Sequence, residues 1–394
     1  MDRLAGSLRS EDLGGEAPAS RRRVLVVGQT LLVTWLVLTA ATEGGEKSPA
    51  APGETRPSSS AGTADRVPHL APREEHTPFF RGISFSHEGW RSGGYGSDQA
   101  AVEIARIRAL HADAIAVVPY AFTRAPAEAT IHTETDETDD VVVQTFRQAR
   151  KEGLRVALKP QLWCGHAFTG DIVFSSDEEF GQWFAQYRAW MMHYAHLAED
   201  EHADLLVVGT ELGGLTVRQG AWRELIRDMR RVYSGPLTYA SHWDRELETV
   251  LFWDALDLIG VNMYAPLAAP GEGPSAGSPR MRELVARLEA TAQRWRRPVL
   301  FTEVGFPDSA EAAVTPWKER GAALDPALQE RCYETIFEAF WRKSWFAGAF
   351  WWKWPSNGGG GRFPGSFSPL GKPALGVIEK WYARDRAVVA GARP

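Results

Sequence analysis

The chain has 394 residues, 44% of them hydrophobic, which is enough for one large domain with a full core and a tail. Its net charge of −6 leaves no basic excess for a nucleic-acid partner. It carries 16 tryptophans, and an indole is both a large core hydrophobe and a flat face for a sugar ring, so position has to decide between the two uses.

The N-terminus has the parts of a targeting segment. Arg21, Arg22 and Arg23 precede an apolar run from Val24 to Ala41 that ends in small residues, Ala40 and Ala41. Residues 1–41 therefore read as a signal peptide. The run is also about long enough to span a bilayer, so a retained membrane anchor is the alternative. Either reading predicts export, secreted or anchored facing outside the cytoplasm. Residues 42–78 are rich in Ala, Pro, Gly, Ser and Glu without hydrophobic periodicity, which predicts a disordered linker. One folded domain over 79–386 and a short tail, 387–394, complete the organisation.

From Phe79 onward, short apolar runs alternate with longer amphipathic ones. Strands are predicted at Gly82–Phe85, Ala114–Val118, Arg155–Lys159, Leu205–Gly209, Leu237–Ala240, Leu256–Val261, Val299–Thr302 and Ala347–Trp351. They carry few or no charges, as parallel strands covered on both faces do. The helices between them are Asp98–His111, Asp139–Glu152, Asp177–Asp200, Val217–Tyr233, a weak Leu247–Asp254, Met281–Trp295 and Pro326–Lys343, with Ala374–Tyr382 last. Eight strands alternating with helices fit a single (β/α)₈ TIM barrel. A doubly wound open sheet is the alternative, but Phe85-Ser86-His87-Glu88-Gly89 is not its usual Gly-rich phosphate turn.

In a barrel of this kind, function collects where the strands end. The exits hold His87 and Trp90, then Lys159, Gln161 and Trp163, then Thr210 and Glu211. They continue with Trp243, Asn262 and Tyr264, Glu303, and finally Trp352. Tryptophans at exits are where a plain core does not need them, which favours sugar stacking. Glu211 ends strand four and Glu303 ends strand seven, facing each other across an eight-stranded ring. Two carboxyls so placed suit glycosidic hydrolysis, which needs a proton donor and a carboxylate on opposite sides of the anomeric carbon, about 5–5.5 Å apart in a retaining enzyme.

Five motifs at strand ends carry a resemblance: Arg81-Gly82-Ile83-Ser84-Phe85, Lys159-Pro160-Gln161-Leu162-Trp163, Gly209-Thr210-Glu211-Leu212, Thr302-Glu303-Val304-Gly305-Phe306 and Phe350-Trp351-Trp352-Lys353-Trp354. In this order, over Phe79 to Tyr382, the chain resembles the retaining (β/α)₈ glycosidases with acid/base after strand four and nucleophile after strand seven. It is most similar among them to glycoside hydrolase family 113, known for endo-β-1,4-mannanases. The resemblance implies cleavage of β-1,4-mannan or glucomannan, with Glu211 as acid/base and Glu303 as nucleophile. It implies a hydrogen bond from Tyr264 to the nucleophile, Trp352 as floor of the cleavage subsite, and Lys159, Gln161, Asn262 and Trp243 as subsite contacts. Three features depart from the pattern: Thr210 stands where Asn usually precedes the acid, Phe168 where a Trp is expected, and Pro266–Pro279 is a long loop.

Other signals are weaker. His87, His166 and His242 show no metal-ligand spacing, so neither metal nor cofactor is expected, and His87 and His242 fit hydrogen bonding to sugar hydroxyls. Cys164 and Cys332 are expected as free thiols, one in a loop and one in a helix. The partner is a polysaccharide or oligosaccharide, bound by a monomer. A barrel that binds or remodels cell-envelope glycan without hydrolysing it is the competing class.

Overall fold

The computed structural model describes residues 79–88, 93–319, 323–360 and 364–385. The targeting segment, the linker, Trp90 and the C-terminal tail lie outside them. In chain order the main elements are β1 (Phe80–Ser86), α1 (Asp98–Ala109), β2 (Ala114–Val117), β3 (Tyr120–Thr123), α2 (Asp139–Lys151), β4 (Arg155–Leu158) and β5 (Gln161–Cys164). Next come α3 (Asp177–Asp200), β6 (Leu205–Thr210), α4 (Gly213–Thr216), α5 (Gln219–Val232), β7 (Leu237–His242) and α6 (Glu246–Thr249). The last are β8 (Leu258–Met263), α7 (Pro279–Trp295), β9 (Val299–Val304), α8 (Pro326–Phe340), β10 (Phe346–Pro355) and α9 (Pro373–Tyr382).

Eight strands close a parallel barrel in the order β1-β10-β9-β8-β7-β6-β4-β2. Alternation along each strand divides the core in two. One set of side chains (Phe80, Ala114, Ala116, Ala157, Leu205, Leu258, Leu300, Ala347 and Phe350) packs together as a cluster of its own. It mixes small and large residues from seven of the strands, which is how a barrel interior is filled. Gly82 is part of that fit, because a Cβ there would lie 2.4 Å from the Phe350 ring. The neighbouring strand residues, among them Ile83, Ile115, Val156, Val208, Ile259, Phe301 and Trp351, point outward and join the helix faces in the larger core.

The helix starts follow local chemistry. Ser97 caps α1 by accepting from Ala100 N, and Ser176 and Glu179 form a reciprocal capping box on α3. Pro279 and Pro326 sit in the first turns of α7 and α8, where a missing N–H costs nothing.

One feature was not expected from the sequence. After β2 and β4 the chain does not turn into loops but runs on as β3 and β5, which pair in parallel with Tyr120 opposite Gln161 and Thr123 opposite Cys164. Pro119 and Pro160 interrupt the ladder, since neither has an N–H to give, and the pairing resumes beyond them with Gln161 N donating to Pro119 O at 2.9 Å. This two-stranded extension raises one wall of the barrel mouth. Cys164 ends β5 and so lies in a strand, not the expected loop, and Cys332 lies in α8; both thiols are free, as expected, and both are buried. Among the described residues, no helix is long and apolar enough to cross a membrane.

Candidate active site

Glu303 is the penultimate residue of β9 and is buried at the barrel mouth. Its Oε1 accepts from Lys159 Nζ at 2.5 Å, and its Oε2 accepts from the Tyr264 hydroxyl at 2.7 Å. Lys159 is itself only 1% exposed and gives a second hydrogen bond to Gln161 Oε1 at 2.5 Å. An ammonium and a phenol are both best matched by an anionic oxygen, so the pair holds Glu303 as a carboxylate. Burial, and then the negative charge of Glu303, push Tyr264 well above the ordinary phenol range, which keeps it a donor.

Glu211 follows β6 and takes a left-handed conformation, φ 51°, which is uncommon for a residue with a Cβ. Its N–H donates to Ala240 O of β7 at 2.8 Å. Its pKa is raised well above the ordinary 4.5, first by burial, then by the charge of Glu303 and then by that of Glu246. Lys159 and the Asn262 side chain oppose the rise. The two glutamates thus differ by environment: one is held as an anion by two donors, the other is driven toward its neutral form. Divergence of this kind separates a nucleophile from a proton donor.

Around them, Asn262 of β8 is buried and pairs in register with Glu303, and its Oδ1 accepts from Thr302 Oγ1 at 2.9 Å. Oγ1 of Thr210 is buried without a hydrogen-bond partner among the described residues. Such an atom is costly unless a bound group or water completes it.

Trp352 lies toward the end of β10, half-buried, with Lys159 Nζ 5.8 Å and Lys353 Nζ 5.7 Å from its ring centre. Its neighbours in the chain do different work. Trp351 stacks on Tyr333 at 4.1 Å in the core, and Trp354 is buried with its indole N–H donating to Glu103 at 2.9 Å.

The structure therefore joins Glu211, Glu303, Lys159, Gln161, Thr210, Asn262, Tyr264 and Trp352 at one mouth. Other sequence-predicted residues stand further out. His87 accepts from Tyr95 N at 3.2 Å and packs edge-on against that ring, so one of its nitrogens is already engaged. Trp163 is exposed on β5 with its indole N–H bonded to Gly165 O at 2.7 Å. Trp243 stacks on the exposed Trp317 at 6.2 Å and packs against His242. Burial lowers the His242 pKa to about 4, so its ring is neutral at neutral pH. Trp90 lies outside the described residues. Among the described residues, no group of three or more His, Cys, Asp or Glu side chains could hold a metal ion.

Two residues escaped the sequence reading. Glu246, at the start of α6, is another buried carboxyl, and Tyr239 of β7 is bonded to it. The only sequence signal for Glu246 was its place three residues past the Trp243 exit, inside a segment too short to show a helical face.

Several solved structures are similar to the chain over most of its length. A β-mannanase from Alicyclobacillus acidocaldarius, solved in complex with ManMIm, is 29% identical, covers 78% of this chain and 97% of its own, and superposes with a TM-score of 0.69. A second β-1,4-mannanase, solved as a complex, is 26% identical over 78% of this chain and 100% of its own, with a TM-score of 0.70. A β-glucuronidase from Faecalibacterium prausnitzii, 14% identical with a TM-score of 0.52, covers 78% of this chain and 49% of its own, and shares the fold alone. Among curated proteins, none matches the chain. The model of Glycoside Hydrolase Family 113 matches residues 83–359, and the chain belongs to that family.

Proposed function

We propose that this protein is a retaining β-1,4-mannanase acting on mannan or glucomannan, with Glu303 as nucleophile and Glu211 as acid/base. The observation that carries the reading is the buried Glu303 carboxylate, held by Lys159 and Tyr264 beside a glutamate whose proton is retained. Two family members similar to this chain are β-mannanases, which supports the choice of sugar.

In the first step a Glu303 oxygen attacks the anomeric carbon while Glu211 gives its proton to the glycosidic oxygen, and the leaving sugar departs. The resulting ester has no charge on Glu303, so one cause of the raised Glu211 pKa disappears. Glu211, now a carboxylate, takes a proton from water as that water attacks the same carbon. Glu303 is released as a carboxylate, Glu211 is protonated again, and the product keeps the β configuration. Trp352 supplies a flat apolar floor for the reacting sugar. Thr210 Oγ1 is a buried polar atom left for one of its hydroxyls. The apolar run after Arg21-Arg22-Arg23 supports export, which N-terminal sequencing of protein from the medium and the membrane fraction tests: an uncleaved cytoplasmic product overturns it.

The test of mechanism is NMR of the first-formed product from mannan, with mannan, glucomannan, xylan and β-glucan compared as substrates. β-Product is expected, with Glu303→Gln inactive. Glu211→Ala should still form the glycosyl-enzyme from substrates with good leaving groups and be partly rescued by azide. First-formed α-product, or near-parental activity in either variant, overturns the roles; preference for xylan or β-glucan overturns the substrate.

A further inference from the structure

Glu246 is buried, yet its partners are not cations. Its Oε1 accepts from the Tyr239 hydroxyl, and its Oε2 accepts from the His242 N–H at 2.6 Å. The same Tyr239 oxygen accepts from Leu212 N at 2.7 Å. Leu212 directly follows Glu211, whose own N–H is held by Ala240 O of β7 at 2.8 Å. Two successive peptide N–H groups at the Glu211 turn are thus fastened to β7, one by a carbonyl and one through the Tyr239 hydroxyl. Closely packed side chains back this relay: a Cβ at Gly209, just before the turn, would lie 2.9 Å from Tyr239, Trp222 and the Tyr187 hydroxyl.

A buried carboxyl with no cation among its hydrogen-bond partners is costly. We propose that Glu246 is a positioning residue for the acid/base. Through Tyr239 it fixes the left-handed turn that aims Glu211 into the cleft, and it sets a second carboxyl against the first. This rests on the assignment of Glu211 as acid/base.

The groups facing Glu211 are Glu303 on β9, Glu246 on α6, Lys159 after β4 and Asn262 on β8. Those facing Glu246 are Tyr239, the His242 peptide and Glu211, and the His242 ring is neutral at neutral pH. Burial raises the Glu246 pKa to about 7, so near neutrality it is partly ionised. That charge strengthens the hold of Glu211 on its proton, so its loss lets Glu211 ionise at lower pH.

The test is Glu246→Gln in the full chain, with thermal unfolding as the control for folding. A mannan oligosaccharide, whose leaving group needs protonation, is compared with a dinitrophenyl β-mannobioside, whose leaving group does not. The expected result is a fall in kcat/KM of roughly tenfold or more on the oligosaccharide, with glycosyl-enzyme formation from the activated substrate much less affected. The alkaline limb of the oligosaccharide profile should move to lower pH by about half a unit to one unit. Equal losses on both substrates with an unmoved limb indicate a merely structural role and overturn the proposal, as does a folded variant with parental kinetics. If Glu246→Gln does not fold, Tyr239→Phe decides: it removes the bridging hydroxyl, and a parental ratio between the two substrates overturns the relay. Glu211→Ala is run alongside, and parental oligosaccharide turnover in it refutes the acid/base assignment itself, whatever Glu246 does.

Discussion

Lys159 Nζ lies 2.5 Å from Oε1 of Glu303, and both side chains are almost fully buried. The lysine comes from the end of β4 and the glutamate from β9, so the ion pair spans the barrel mouth. A buried pair of this kind gains little net stability, but removing one partner leaves an uncompensated charge.

Lys159→Met keeps length and removes the charge, leaving Tyr264 as the remaining donor to Glu303. The expected outcome is a loss of kcat on the order of 10²-fold or more. A fold destabilised by about 3–5 kcal/mol accompanies it, because a buried carboxylate loses its cation. Parental kcat in a folded Lys159→Met variant contradicts the role.

Sequence pattern made the barrel legible because each strand is a short, nearly uncharged run, and because both glutamates end such runs. It located Lys159 as a cleft residue but not as the partner of Glu303, since a pair that is 144 positions apart has no local spacing to reveal it. Pro119 and Pro160 read as strand ends, where in the structure they are interruptions that β3 and β5 continue past. Glu246 was missed for the opposite reason: its helix is four residues long, too short for an apolar stripe, and its importance comes from what Tyr239 touches.

The run Trp351-Trp352-Lys353-Trp354 separates packing from binding within one strand. Trp352→Ala should lower kcat/KM for mannan oligosaccharides by about 10–100-fold, corresponding to roughly 1–3 kcal/mol for a stacked aromatic anchor. Its unfolding temperature should change little, because Trp352 is only half-buried. Trp351→Ala should unfold several degrees lower, since it leaves a cavity of indole size against Tyr333 and Phe337. Both are checked by pairing kinetics with calorimetry. A Trp352→Ala variant that loses stability but not efficiency would return that residue to the core.

The last prediction concerns stability against pH. In the unfolded chain Glu211 and Glu246 titrate near the ordinary 4.5, whereas folding raises both, Glu246 to about 7. Between the unfolded and folded values the native state holds protons that the unfolded state has released. Stability from these two groups is therefore fully present below about pH 4.5 and is lost as pH rises through the folded values. The loss is a cost of function, because an acid that keeps its proton near neutrality needs the surroundings that make its anion unfavourable. Glu211→Gln replaces a group that ionises at a cost with one that cannot ionise. Relative to the parent, its unfolding temperature should gain as pH is raised from about 4.5 to 8, while catalysis of oligosaccharide cleavage is lost. The contribution of Glu211, with its coupling to Glu303 and Glu246, is isolated by subtracting the two unfolding-temperature profiles, so that carboxylates not coupled to it cancel. A difference profile that is flat, or that slopes so that Glu211→Gln loses stability relative to the parent with rising pH, contradicts the raised proton affinity on which the acid role depends.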